Sequence, residues 1–263
     1  MDPFLKQLHI KMKKIIPVLL FLSCSLAIAK MHTWIIHGKP VRAKYVMTIN
    51  KKVILKTKEG KQIRIPCSSL SKEDQEYLEL LQPPSLKINF TKTTKQRVFP
   101  PNIREDEPPK AQYITFFVKI QQTSTQKYRH KMTIEYFALG QEINGERKVF
   151  LGHETRSFSL KGYGDSFHFQ GITYELPKYH LKVKHAKNPE DEEWLPYRGI
   201  RYGGFLIIIK DKTGKIIAHK ASSKKYYHYV KNLRKLHTGC FFNFKTGKRT
   251  PPTRPPHFPV LYQ

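Results

Sequence analysis

Short apolar runs with period-two alternation, broken by tight-turn signals, fill the chain from Thr33 to Leu81. Val41 to Ile49 stops at Asn50-Lys51-Lys52, Val53 to Lys58 stops at Glu59-Gly60, and Gln62 to Pro66 follows. Turn residues at those intervals predict a meander of three small strands. Val53 and Leu55 alternate with Ile54 and Lys56, and Ile63 and Ile65 with Gln62 and Arg64, which predicts one packed and one wet face. Ser71 stands three residues before Asp74, a capping-box-like start for an amphipathic helix from Gln75 to Leu81. Its Tyr77, Leu78 and Leu81 share one face, so the helix is expected to close one end of a small barrel.

Pro83-Pro84 ends that pattern, and residues 83–111 read as a proline-rich linker with room for a first strand of the next domain. From Tyr113 the pattern turns to strands again: Tyr113 to Gln121, Lys131 to Leu139, Lys148 to Leu151, Thr155 to Leu160, Ser166 to Leu176, His180 to Lys184, Gly203 to Lys210 and Lys215 to His219. Turn signals about every ten residues predict an antiparallel β-sandwich over residues 112–237. The unbroken apolar run Phe205 to Ile209 predicts a central strand buried on both faces. Tyr226, Tyr229, Val230 and Leu233 fit the packing face of a closing helix, and residues 238–263 read as a proline-rich basic tail.

The expected fold is therefore all-β, a small barrel at residues 30–82 followed by a larger sandwich. Trp34, Gly38, Arg42-Ala43, Val53-Ile54-Leu55, Lys58-Glu59-Gly60-Lys61, Ile65-Pro66 and the run Leu70-Ser71-Lys72-Glu73-Asp74-Gln75-Glu76-Tyr77-Leu78 resemble the first-type Sla homology domain. The resemblance implies an SH3-like barrel, with these positions as a structural signature. In eukaryotic adaptors that domain reads short Asn-Pro-Phe-x-Asp sorting peptides, and similar domains occur in exported bacterial proteins of unassigned role. It covers residues 33–81 and leaves the second half without a recognised motif.

Lys11, Lys13 and Lys14 precede the apolar stretch Ile15 to Ala29, which ends in Ala27-Ile28-Ala29 before Lys30. A basic segment, a short apolar core and an A-x-A site predict a secretory signal peptide over residues 1–29, cleaved before Lys30. Met12 opens a more typical signal than Met1, and either start is left open. The expected location is secreted or periplasmic, in a bacterial envelope, which removes the cytoplasmic adaptor role. Cleavage leaves Cys67 and Cys240 as the candidate disulfide pair in an oxidising compartment, their pairing undecided by sequence.

Formal charge is +28, and without residues 1–29 the chain keeps 44 basic against 19 acidic residues. Such a field concentrates polyanions, nucleic acid or anionic glycan alike, although scattered lysines also serve solubility alone. Twelve histidines invite a metal reading, yet no His-x-x-x-His or His/Cys set occurs at ligand spacing. His153-Glu154 lacks a second histidine, Gly162-x-Gly164 lacks a third glycine, and Glu190-Asp191-Glu192-Glu193 reads as a solvated acidic loop. Arg249-x-x-Pro252-x-x-Pro255 matches an SH3-ligand pattern and invites docking within the chain. With no catalytic constellation, no metal and no cofactor expected, the sequence points to a binding protein that recognises an unidentified protein, peptide or envelope component. A polyanion binder is the alternative, and an envelope hydrolase the third reading, disfavoured by scarce paired carboxylates.

Overall fold

A computed structural model of the 263-residue chain describes residues 30–96, 110–179, 182–184, 192–194, 196 and 198–251. The signal segment with Ala27 and Ala29, the Pro100–Pro109 stretch, Glu190-Asp191 and the tail beyond Pro251 lie outside the described residues. The chain divides into two units, one ending at Leu78 and one beginning at Glu79.

In the first unit β1 (His32–Ile36), β2 (Lys39–Ile49), β3 (Lys52–Thr57) and β4 (Gln62–Pro66) form one antiparallel sheet in chain order. The hairpin turns explain that order. His37 and Gly38 carry φ of 47° and 77°, and Asn50 and Lys51 carry 49° and 60°. Two consecutive left-handed residues make the turn whose twist matches the strands it joins. A short 3-10 turn, Cys67–Ser69, leads into α1 (Lys72–Leu81). Trp34, Ala43, Val53 and Leu55 are fully buried, and Ile65, Leu70 and Leu78 nearly so. β1 precedes the three strands read from sequence, and Ile54, expected on the wet face, is only 7% exposed. Met47 and Arg64, its cross-strand neighbours, flank it on that face.

The second unit is an eight-stranded antiparallel sheet ordered β14-β8-β7-β12-β9-β6-β5, with β13 added on β12. Its strands are β5 (Leu86–Gln96), β6 (Lys110–Gln122), β7 (Met132–Glu142), β8 (Lys148–Phe158), β9 (Ser166–Tyr179), β12 (Arg198–Lys210), β13 (Ile216–Ala221) and β14 (Phe241–Phe242). A separate ribbon pairs β10 (Lys182–Lys184) with β11 (Glu192–Trp194). β12 pairs with β9 only through Arg198 and Gly199, then runs along β7 from Ile200 to Lys210. One continuous sheet thereby folds over itself into two layers. Gly199 turns the corner at φ 122°, and a Cβ there would strike the Pro177 carbonyl.

Between the layers lies one core: Ile114, Phe116, Val118 and Ile120 of β6 face Ile134, Tyr136 and Ala138 of β7 and Phe205, Ile207 and Ile209 of β12. Leu206 and Ile208 point the other way, into a second core with Phe137, Phe150, Tyr226, Leu233 and Phe242. The apolar run of β12 is thus buried on both faces. α2 (Lys224–His228) and α3 (Val230–Leu233) supply Tyr226 and Leu233 to that second core.

The first strand allowed for within the linker is β5, where Leu86, Ile88 and Phe90 alternate inward before the polar Thr91–Gln96 half ends the pattern. Two boundaries differ from the sequence expectation. Lys148–Leu151 and Thr155–Leu160 are one strand to Phe158, since His153 and Glu154 between them have polar partners in the fold. The basic tail does not start at residue 238. Phe242 is fully buried, β14 pairs with β8, and Thr250 N donates to Phe241 O. The apolar area of Phe241, Phe242 and Phe244 outweighs the composition of the residues around it.

Candidate functional site

Of the signature positions, Trp34, Ala43, Leu55, Ile65, Leu70, Asp74 and Leu78 are buried in the first unit. The Trp34 indole donates to the Ala43 carbonyl at 3.0 Å with no exposed surface, so it lines no groove. Gly38 and Gly60 occupy left-handed turn positions at φ 77° and 86°, and Pro66 ends β4 on the surface. Asp74 is 4% exposed and does more than cap. Its backbone N–H donates to Ser71 Oγ at 3.1 Å, forming half of the expected capping box. The carboxylate turns instead to β1, accepting from Ile35 N at 2.5 Å and meeting His32 Nε2 at 2.8 Å. His32 stacks on Tyr77 at 4.2 Å between ring centroids and meets Trp34 edge-on at 4.8 Å. That cluster ties the helix start to the sheet.

The exposed chemistry of this unit lies on β2. A bulge between Tyr45 and Met47 releases Val46 from the pairing, and Val46, Met47 and Ile49 are 42%, 45% and 50% exposed. Register places Met47 beside Ile54 and Arg64, Lys44 beside Lys56, and Ile49 beside Lys52. Cross-strand partners share a face, so an apolar centre of Met47, Ile49 and Ile54 is rimmed by four cations.

In the second unit a charge cluster is built around Glu135 of β7, 4% exposed. Arg234 donates to both carboxylate oxygens, Nε to Oε1 at 2.8 Å and Nη2 to Oε2 at 2.7 Å. Lys210 Nζ lies 2.8 Å from Oε2, and His153 Nε2 lies 3.1 Å from Oε1. Burial pushes this carboxyl up, but the hydrogen bonds from His153, Arg234 and Lys210 together hold it well below the ordinary carboxylate range. His153 also stacks on Phe137 at 4.3 Å, which fixes its ring. Every carboxylate lone pair is engaged, so the group is a structural anion rather than a free base. Its one sequence signal was an acid inside the apolar strand Ile134–Leu139.

Glu154, next along β8, accepts from Ile172 N at 3.1 Å and Tyr174 Oη at 3.4 Å. Burial pushes the hydroxyls of Tyr136 and Tyr174 far up, and that of Tyr202 up to about 12. Among the described residues, Tyr136 Oη is buried with no hydrogen-bond partner.

Cys67 and Cys240 are both free thiols, Cys67 in the first unit and Cys240 in the second. Burial raises the Cys67 thiol. Among the described residues, no three His, Cys, Asp or Glu side chains gather as a metal group, and no helix is long and apolar enough to cross a membrane. Arg249, the first residue of the SH3-ligand match, bridges to Phe242 within the second unit.

No family model and no curated protein matches the chain. Among solved structures, the crystal structure of a protein from Akkermansia muciniphila matches at 13% identity, over 56% of this chain and 77% of that one, with a TM-score of 0.23. A likeness that loose carries no functional argument.

Proposed function

We propose that the chain is an exported, non-enzymatic binding protein whose first unit recognises a protein or peptide. The observation that carries this reading is the β2 stripe, three large apolar side chains between 42% and 50% exposed at one strand end. Contiguous exposed apolar surface rimmed by polar groups marks interaction sites. The rim is Lys44, Lys52, Lys56 and Arg64, so the fitting ligand presents an apolar side chain flanked by carboxylates. Resemblance to a peptide-reading domain agrees with this, although the recognising residues would differ from an aromatic SH3 groove because Trp34 is internal. The signal-like segment supports export, and the saturated Glu135 carboxylate supports binding over catalysis.

The test is a photo-crosslinking residue in place of Met47, with the protein incubated in the envelope fraction of its host. A saturable adduct is expected at micromolar concentration, competed by the unlabelled protein and not by its Ile49→Asp variant. No saturable adduct, or equal competition by Ile49→Asp, would sink the reading.

A further inference from the structure

The outer face of β5, β6 and β9 carries a cleft of about 510 Å³. Register builds it from two cross-strand rows, Asn89, Lys119 and His168 in one and Thr91, Phe117 and Gln170 in the next. The alternating neighbours Ile88, Phe116, Val118 and Phe169 belong to the core, so these six residues point away from it. Thr91, Lys119, His168 and Gln170 are exposed, and Asn89 and Phe117 are half-buried. Among the described residues, the side chains of Asn89, Thr91, Lys119 and Gln170 make no hydrogen bond or ion pair with protein. Their donors and acceptors are spare beside an aromatic ring.

We propose that this cleft binds an acidic polysaccharide, with one sugar ring packed on Phe117 and a uronate carboxylate held by Lys119. A sugar ring presents a face of C–H groups and a rim of hydroxyls. An aromatic ring accepts the first, and amide and hydroxyl side chains such as Asn89, Thr91 and Gln170 pair with the second. A few polar groups converging beside an apolar surface is the composition of ligand sites in general. Lys119 supplies the charge-assisted bond to a carboxylate. Charge complementarity extends past the cleft: Lys87 stands one row away, and Lys95 lies at the far end, where Glu175 is the acid. Single-stranded nucleic acid fits less well, because successive bases stack on successive aromatic platforms. The next aromatic on this face, Tyr113, is four residues along β6, about 13 Å away at ~3.3 Å per residue. The site lies wholly in the second unit and stands or falls independently of the β2 stripe.

The experiment is isothermal titration of the purified protein with an oligogalacturonate, a neutral cello-oligosaccharide and an oligo-dT strand. Expected is saturable binding of the oligogalacturonate, weaker or absent binding of the other two, and about tenfold weaker binding in Lys119→Glu and in Phe117→Ala. Lys212→Glu, in the β12–β13 turn, leaves affinity unchanged. Where Phe117→Ala melts early, Gln170→Ala at an exposed position joins Lys119→Glu in deciding the matter. No binding of the oligogalacturonate, binding that ignores the cleft substitutions, or oligo-dT bound as tightly would overturn the proposal.

Discussion

Replacing Glu135 by Gln keeps the side-chain volume and removes the negative charge that Arg234 and Lys210 pair with and that His153 contacts. Breaking a buried ion pair by removing one partner costs about 3–5 kcal/mol when the survivor stays dry. Here the survivors are not dry: the Arg234, Lys210 and His153 side chains are 33%, 25% and 31% exposed. Each regains some water by a small rotation, and the glutamine oxygen still accepts one bond. The expected loss is therefore about 2–3 kcal/mol, set by the bidentate Arg234 contact and the Lys210 contact. In guanidinium titration the midpoint of the second unit falls with an unchanged slope. On heating, Tm drops by roughly 5–10 °C for a unit of this size. The pH dependence has a definite sign. A carboxyl whose folded pKa lies below its unfolded value of about 4.3 contributes stability that is complete above that value and lost as pH falls through the folded one. The gap between the native protein and Glu135→Gln should therefore be widest near neutrality and narrow from about pH 5 downward. A midpoint within about 0.5 kcal/mol of native, or a gap that acid does not narrow, would refute the ion-cluster reasoning.

Tyr136→Phe removes a buried hydroxyl that has no partner, so stability should hold or rise by about 1 kcal/mol in the same titration; a loss of that size would mean the hydroxyl is bonded. Gly199→Ala forces a side chain into φ 122° and onto the Pro177 carbonyl, and should cost more than about 2 kcal/mol, with soluble yield as a first readout. Asp74→Ala strands the Ile35 amide and removes the His32 contact, untying the helix start from β1, and should destabilise the first unit by about 2–3 kcal/mol. Fluorescence of Trp34 in a Trp194→Phe background reports that transition, and an unchanged midpoint would show the Asp74 contacts to be idle.

Alternation and turn chemistry alone determined that this chain is all-β, with a small meander ending in a helix and a larger antiparallel half. Those signals are local: Val53 to Leu55 alternates, Asn50-Lys51 takes left-handed φ, and Phe205 to Ile209 is apolar on both sides because both faces are covered. Local signals fail where the deciding partner is distant in sequence. β5 was legible only as room for a strand within a linker, because half of it is polar and its inward residues only make sense against β6. β14 vanished into a basic tail because its place is given by β8, some ninety residues earlier. The candidate sites were less legible still. Glu135 meets Arg234, 99 residues away, and the cleft draws its lining from three strands. Side-chain type and strand periodicity are carried by neighbours in the chain. Which residues share a face across strands is decided by register, and register exists only once the sheet has folded.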